Sequence, residues 1–152
     1  MNAVAGLALV QLFIADGEVK QVDVRVDRPA AAARRLLLGK TPAEALKLVP
    51  LLFAVCGAAQ SAAAATACEQ AMGLALDPAR LSVRARLAAT EALLAHGRFF
   101  ALDWPQVSGE PPQVEAFARL RKALAPVSAL LDPARVAFIP GAEVAQVDAA
   151  AL

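Results

Sequence analysis

From Leu48 to Cys68 the chain carries no charged side chain, and this run constrains the fold more than any other stretch. An uncharged segment of about 20 residues is long enough to cross a bilayer as a helix. Its composition points elsewhere: Pro50, Gly57, Gln60, Ser61 and Thr66 interrupt it, and alanine stands where a membrane span would carry leucine and isoleucine. The expectation is a buried helix packed tightly through its alanines, with no membrane partner. Alanine supplies about a quarter of the residues, so an apolar content of 59% means many small packing positions and few bulky anchors.

A length of 152 residues corresponds to a single domain, 1–152, large enough to bury most of its apolar surface. With no Tyr, one Trp and six Phe the chain lacks a stacking surface for single strands. A net charge of +1 leaves no excess to follow phosphates, so nucleic acid is excluded as a partner. Cys56 and Cys68 would stand roughly 18 Å apart on one helix, too far for a disulfide. Two cysteines and no basic stretch before Ala5 to Phe13 fit a reducing, cytoplasmic setting.

The pattern along the chain begins with strands. Gly6 to Ile14 is apolar, Asp16-Gly17 follows, and Val22, Val24 and Val26 then alternate with Gln21, Asp23 and Arg25. Asp-Gly between two such runs predicts a hairpin with a type I′ turn, its second strand having one dry and one wet face. After Arg28-Pro29 the pattern becomes helical: Ala30–Leu38 ends at Gly39, and Thr41-Pro42-Ala43-Glu44 is a capping box with proline at the first helical position. That helix should run to about Val49 and be interrupted by Pro50. A helix over about Ala58–Met72 closed by Gly73 follows, then one from Pro78 to about Ala101 ended by Asp103-Trp104-Pro105. Val107–Pro112 reads as a loop, Gln113–Leu131 as a helix kinked at Pro126, and Asp132-Pro133-Ala134-Arg135 repeats the helix-start device of Asp77-Pro78-Ala79-Arg80. The fold class is mainly helical α+β: an N-terminal hairpin, then a bundle of five or six helices.

Cys56 and Gly57 sit at the seam between a proline-bearing apolar run and the alanine-rich helix, where a fold can present a thiolate. One thiol cannot hold a metal alone, and the partner of a Cys-x-x-Cys pair is here Ala59. On its chemistry alone Cys56 is most simply a small buried hydrophobe, and Gly57 serves either a helix-start turn or a close approach. Cys68 reads as structural and His96, the one histidine, as packed or surface. Glu91 does not fall on His96's helix face. Arg80, Arg84 and Arg86 read as a solvated helix face, as do Arg119, Arg121 and Lys122. No nucleophile with a base and orienter is present, and Gly39-Lys40-Thr41 lacks the upstream glycine of a phosphate loop, so catalysis by this chain is not expected.

The order of elements carries a resemblance: a hairpin, a helix ending Leu38-Gly39-Lys40, a Thr-Pro-Ala-Glu helix, a Cys-Gly step into an alanine-rich helix, then Glu91 to Phe100 followed by Leu102-Asp103. It resembles the N-terminal half of the large subunit of nickel-iron hydrogenases. That family's motif R-x-C-G-x-C-x-x-x-H lies over Ala54–Ala63, with Cys56 and Gly57 retained. Ala54, Ala59 and Ala63 replace its arginine, second cysteine and histidine. Near the start Ala3-Val-Ala-Gly-Leu7 keeps only the glycine of R-I-E-G-H, and no cysteine follows Cys68 where the family carries a further pair.

These losses resemble the large-subunit-like accessory proteins of hydrogenase maturation, of the HupK and HoxV type. The resemblance implies a non-catalytic scaffold that transiently holds or delivers an iron-dicyanide-carbonyl unit, with no permanently bound cofactor. Cys56 would be the metal donor, Cys56 and Gly57 the cofactor-contacting pair, and maturation chaperones and the hydrogenase large subunit the partners. It also implies that the chain corresponds to the N-terminal part of a longer architecture. The rival expectation is a cofactor-free relative that keeps the fold and binds a partner through its helical surface.

Overall fold

A computed structural model describes residues 7–27 and 30–144. The Ala3–Gly6 stretch compared above, Arg28-Pro29 and the tail after residue 144 lie outside the described residues. Contacts divide the chain into two compact units, Met1–Gly39 and Lys40–Leu152.

In the first unit, strands β1 (Leu7–Ala15) and β2 (Glu18–Asp27) form an antiparallel hairpin. Asp16 and Gly17 adopt φ of 55° and 77°, the left-handed pair that a type I′ turn demands and that Asp-Gly tolerates. The register sets Val10 against Val24 and Leu12 against Val22, with an irregularity between Phe13 and Ile14. The valines of β2 do share a face, but it is not dry: every residue of both strands is exposed. Alternation fixes which residues share a face; whether anything covers that face is a separate matter. Helix α1 (Ala30–Leu37) follows, and Gly39 at φ 76° takes the chain out of it.

The second unit is helical. It comprises α2 (Pro42–Leu52), α3 (Gly57–Ala71), α4 (Pro78–Arg98), a π-helical turn over Phe99–Asp103, α5 (Trp104–Ser108), α6 (Val114–Leu124) and α7 (Val127–Leu131). Both expected caps are present: Thr41 and Glu44 close a reciprocal box, and the Asp77 carboxylate accepts from Ala79 N–H at 2.9 Å. The fold is thus mainly helical α+β: among the described residues a hairpin is followed by five helices of eight residues or more and two shorter ones. Val83, Leu87, Leu131 and Ala137 form the core, with Ala58, Val127 and Phe138 packed against it. No helix among the described residues is long and apolar enough to cross a membrane.

Four prolines behave differently from expectation. Pro50 lies inside α2, in its last turn, where a missing N–H forfeits a single bond and Phe53 N–H still reaches Val49 O at 3.0 Å. Pro105 does not end α4's course but sits in the first turn of α5, where no N–H is required. The Ala101 carbonyl, which a residue other than proline at 105 could have served, instead accepts from Gln113 N–H at 2.7 Å. Pro126 separates α6 from α7 rather than kinking one helix. Asp132-Pro133 starts no helix: the Asp132 carboxylate accepts from Val136 and Ala137 N–H at 2.9 and 3.0 Å and shapes a turn.

The alanine-rich helix is buried on one stripe only. Gly57, Ser61, Ala65 and Glu69, spaced by four, are buried, while Ala59, Ala63 and Ala67 are exposed. The last of that stripe needs partners, because a buried carboxylate is costly unless paired. It finds them in Arg84, whose guanidinium spans both Glu69 oxygens at 2.7 and 2.9 Å, and in Arg80. Arg84 also donates through Nε to Ala137 O at 2.7 Å. Arg80 and Arg84 are therefore not part of a solvated face; they are buried, and Arg86 alone of the three is exposed. The Arg84 hydrogen bonds, and then those of Arg80, outweigh burial and hold the Glu69 carboxyl down at about 2.

Candidate functional site

Cys56 stands where α2 has ended and α3 begins. Its N–H donates to Phe53 O and its carbonyl accepts from Gln60 N–H, both at 3.0 Å, making it the N-cap residue of α3. Its side chain caps nothing and is half-buried. Gly57 is buried in the first turn at ordinary helical geometry. A methyl there would lie 3.4 Å from Pro50 Cα and Cβ, in van der Waals contact with the end of α2, so Gly57 stands both at the helix start and against α2, its two expected places.

The free N–H groups of that first turn are taken by a residue distant in sequence. Glu91, from α4, accepts from Ala58 N–H at 2.7 Å and Ala59 N–H at 3.2 Å. A carboxylate at a helix N-terminus satisfies orphan donors and meets the positive end of the helix dipole. Glu91 thus supplies the cap that Cys56 does not, and leaves the thiol without a backbone partner. Sequence spacing sets Glu91 against His96 alone, and His96 is exposed near the end of α4. The signal that could have found it is the missing Ser, Thr, Asp or Asn at position 56.

Ala59 and Ala63, where the hydrogenase motif carries its second cysteine and histidine, lie three and seven residues beyond Cys56 and so near its side of the helix. Both line a shallow groove of about 440 Å³ between α3 and α4, with Thr66, Gln70 and Arg84. A larger groove of about 1060 Å³ lies between α4, α6 and α7, with Ala54, Val55 and Ala58 at its rim. Cys56 is in the walls of neither. Among the described residues no three His, Cys, Asp or Glu side chains converge as a metal-holding group. Cys56 and Cys68 are both free thiols.

The sequence is similar to hydrogenase expression/formation proteins. The chain is 45% identical over 74 residues to HupV of Azotobacter chroococcum mcd 1, covering 49% of this chain and 22% of that one. It is 40% identical over 89 residues to HupK of Azotobacter vinelandii, covering 59% and 26%. With HupK of Rhizobium leguminosarum bv. viciae identity is 33% over 132 residues, covering 86% of this chain and 35% of the relative. The matches therefore span between about a fifth and about a third of the curated relatives' lengths. No protein-family model matches the chain. No solved structure matches it.

Proposed function

We propose that this chain is the scaffold portion of a HupK-type accessory protein in hydrogenase formation, itself non-catalytic, and that Cys56 transiently holds an iron-dicyanide-carbonyl unit as cargo. The observation that carries the reading is the similarity to a HupK over 86% of the chain. Its local support is a half-buried thiol at an N-cap position whose side chain makes no cap hydrogen bond. A bare metal ion needs three or four protein donors. The donor set around Cys56 does not fit a resident centre, whereas an iron that arrives with its cyanide and carbonyl ligands needs few more. One thiolate permits release as well as capture. The alanines at 59 and 63 leave space, and no competing donor, on the same side of α3. Partners in this reading are the chaperones that carry the iron unit and the hydrogenase large subunit that receives it.

Replacement of Cys56 by alanine in the intact protein is expected to lower hydrogenase activity in cells at unchanged accessory-protein abundance. Undiminished activity would refute a role for the thiol. One observation favours a cofactor-free interaction protein instead: the larger groove is walled without Cys56. That reading predicts full function in Cys56→Ala and loss on altering the groove.

A further inference from the structure

The two strands of the hairpin carry charge unequally. Half of β2 is charged, through Glu18, Lys20, Asp23, Arg25 and Asp27, whereas β1 has no charged residue and Gln11 as its only polar one. Among the described residues each strand is hydrogen-bonded to the other alone, so each has one open edge. Charged side chains, lysine above all, are what keeps such an edge from pairing with another chain. β2 is guarded in this way and β1 is not. Its open edge offers a row of unpaired N–H and C=O groups flanked by exposed leucine, valine, phenylalanine and isoleucine.

The residue order within β1 says which strand fits there. Gln11 is the midpoint of Leu7–Ala15. An antiparallel copy of β1 laid on the open edge, with Gln11 on the two-fold axis, sets Val10 opposite Leu12, Leu9 opposite Phe13 and Ala8 opposite Ile14. Each of these pairs joins apolar residues on one face of the sheet. The single polar side chain meets its own counterpart, an amide that both donates and accepts. The charged strands then become the outer edges of a four-stranded sheet in the order β2-β1-β1-β2, which supplies the additional strands that a lone hairpin needs for stability.

We propose that two copies of this chain pair through β1, antiparallel and centred on Gln11.

Sedimentation equilibrium of the full chain should show a reversible dimer. Opposed residues of an antiparallel pair have Cα atoms about 4.5–5.5 Å apart, within the roughly 4.4–6.8 Å that a disulfide spans. With Cys56 and Cys68 replaced by serine, Gln11→Cys should therefore oxidise to a covalent dimer. Ala15→Cys should not, because its counterpart lies about 27 Å away along the strands. Gln11→Glu and Gln11→Lys each set like charges across the axis and should raise the dissociation constant about fivefold with circular dichroism unchanged. An equimolar mixture of the two, which opposes unlike charges, should restore it. A chain monomeric at every concentration would leave the β1 edge to a strand of another protein and overturn the proposal. A dimer that Gln11→Cys does not link would overturn it too, since the contact would then lie elsewhere, as would equal linking by Ala15→Cys, the mark of parallel pairing.

Discussion

Glu69 meets Arg84 and Arg80 with only 1% of its surface exposed, and its carboxyl is held at about 2 against an ordinary value of 4.5. A carboxylate with a lowered folded-state pKa stabilises fully above its unfolded value, and that stabilisation is lost as pH falls through 4.5 toward 2. The stake is about 3 kcal/mol. Glu69→Gln is expected to be less stable at neutral pH and to lose less further stability on acidification, measured by urea unfolding across the acid range. Equal acid sensitivity of the two proteins would contradict the assignment. Arg80 and Arg84 read as solvent-facing in the sequence because charge alone says nothing about the opposing surface. The legible clue was the stripe Gly57, Ser61, Ala65: its next member at the same spacing is Glu69, which must then be buried and paired.

At the scale of elements, helix starts with a local cap and helix ends at Gly39 and Gly73 were readable, whereas the boundaries assigned to prolines were not. Thr41 and Asp77 carry their caps within three residues, so the signal is local. The cap of α3 comes from Glu91, a contact across 33 residues that no local pattern contains. Prolines mislead for a related reason. Their cost depends on whether the lost N–H was needed, and the carbonyl of Ala101 was rescued from outside the helix by Gln113. Glu91→Ala should therefore destabilise the helical unit by about 1 kcal/mol. Amide exchange should quicken at Ala58 and Ala59 while the middle of α3 stays protected. Unchanged exchange at those amides would show that Glu91 does not cap the helix.

For the whole molecule, the hairpin-then-helices class was legible because Asp-Gly between apolar runs and repeated cap chemistry are strong local signals. The thiol's surroundings were not legible, since they depend on how α2 and α4 close on the start of α3. Among the described residues the buried hydrophobic core, Val49, Ala65, Val83, Leu87, Leu131 and Ala137, lies in the unit beginning at Lys40. An isolated two-stranded hairpin is marginal in water. A fragment of residues 40–152 is accordingly expected to keep a helical circular dichroism spectrum and a cooperative melt, and a non-cooperative melt would place part of its stability in the hairpin unit. Cys56 is proposed as a donor to ligated iron. Infrared spectroscopy of the protein purified without oxygen from cells that make hydrogenase tests it most directly. Bands of bound cyanide and carbonyl that vanish in Cys56→Ser are predicted; a wild-type protein without such bands, or bands that persist in the variant, would contradict it.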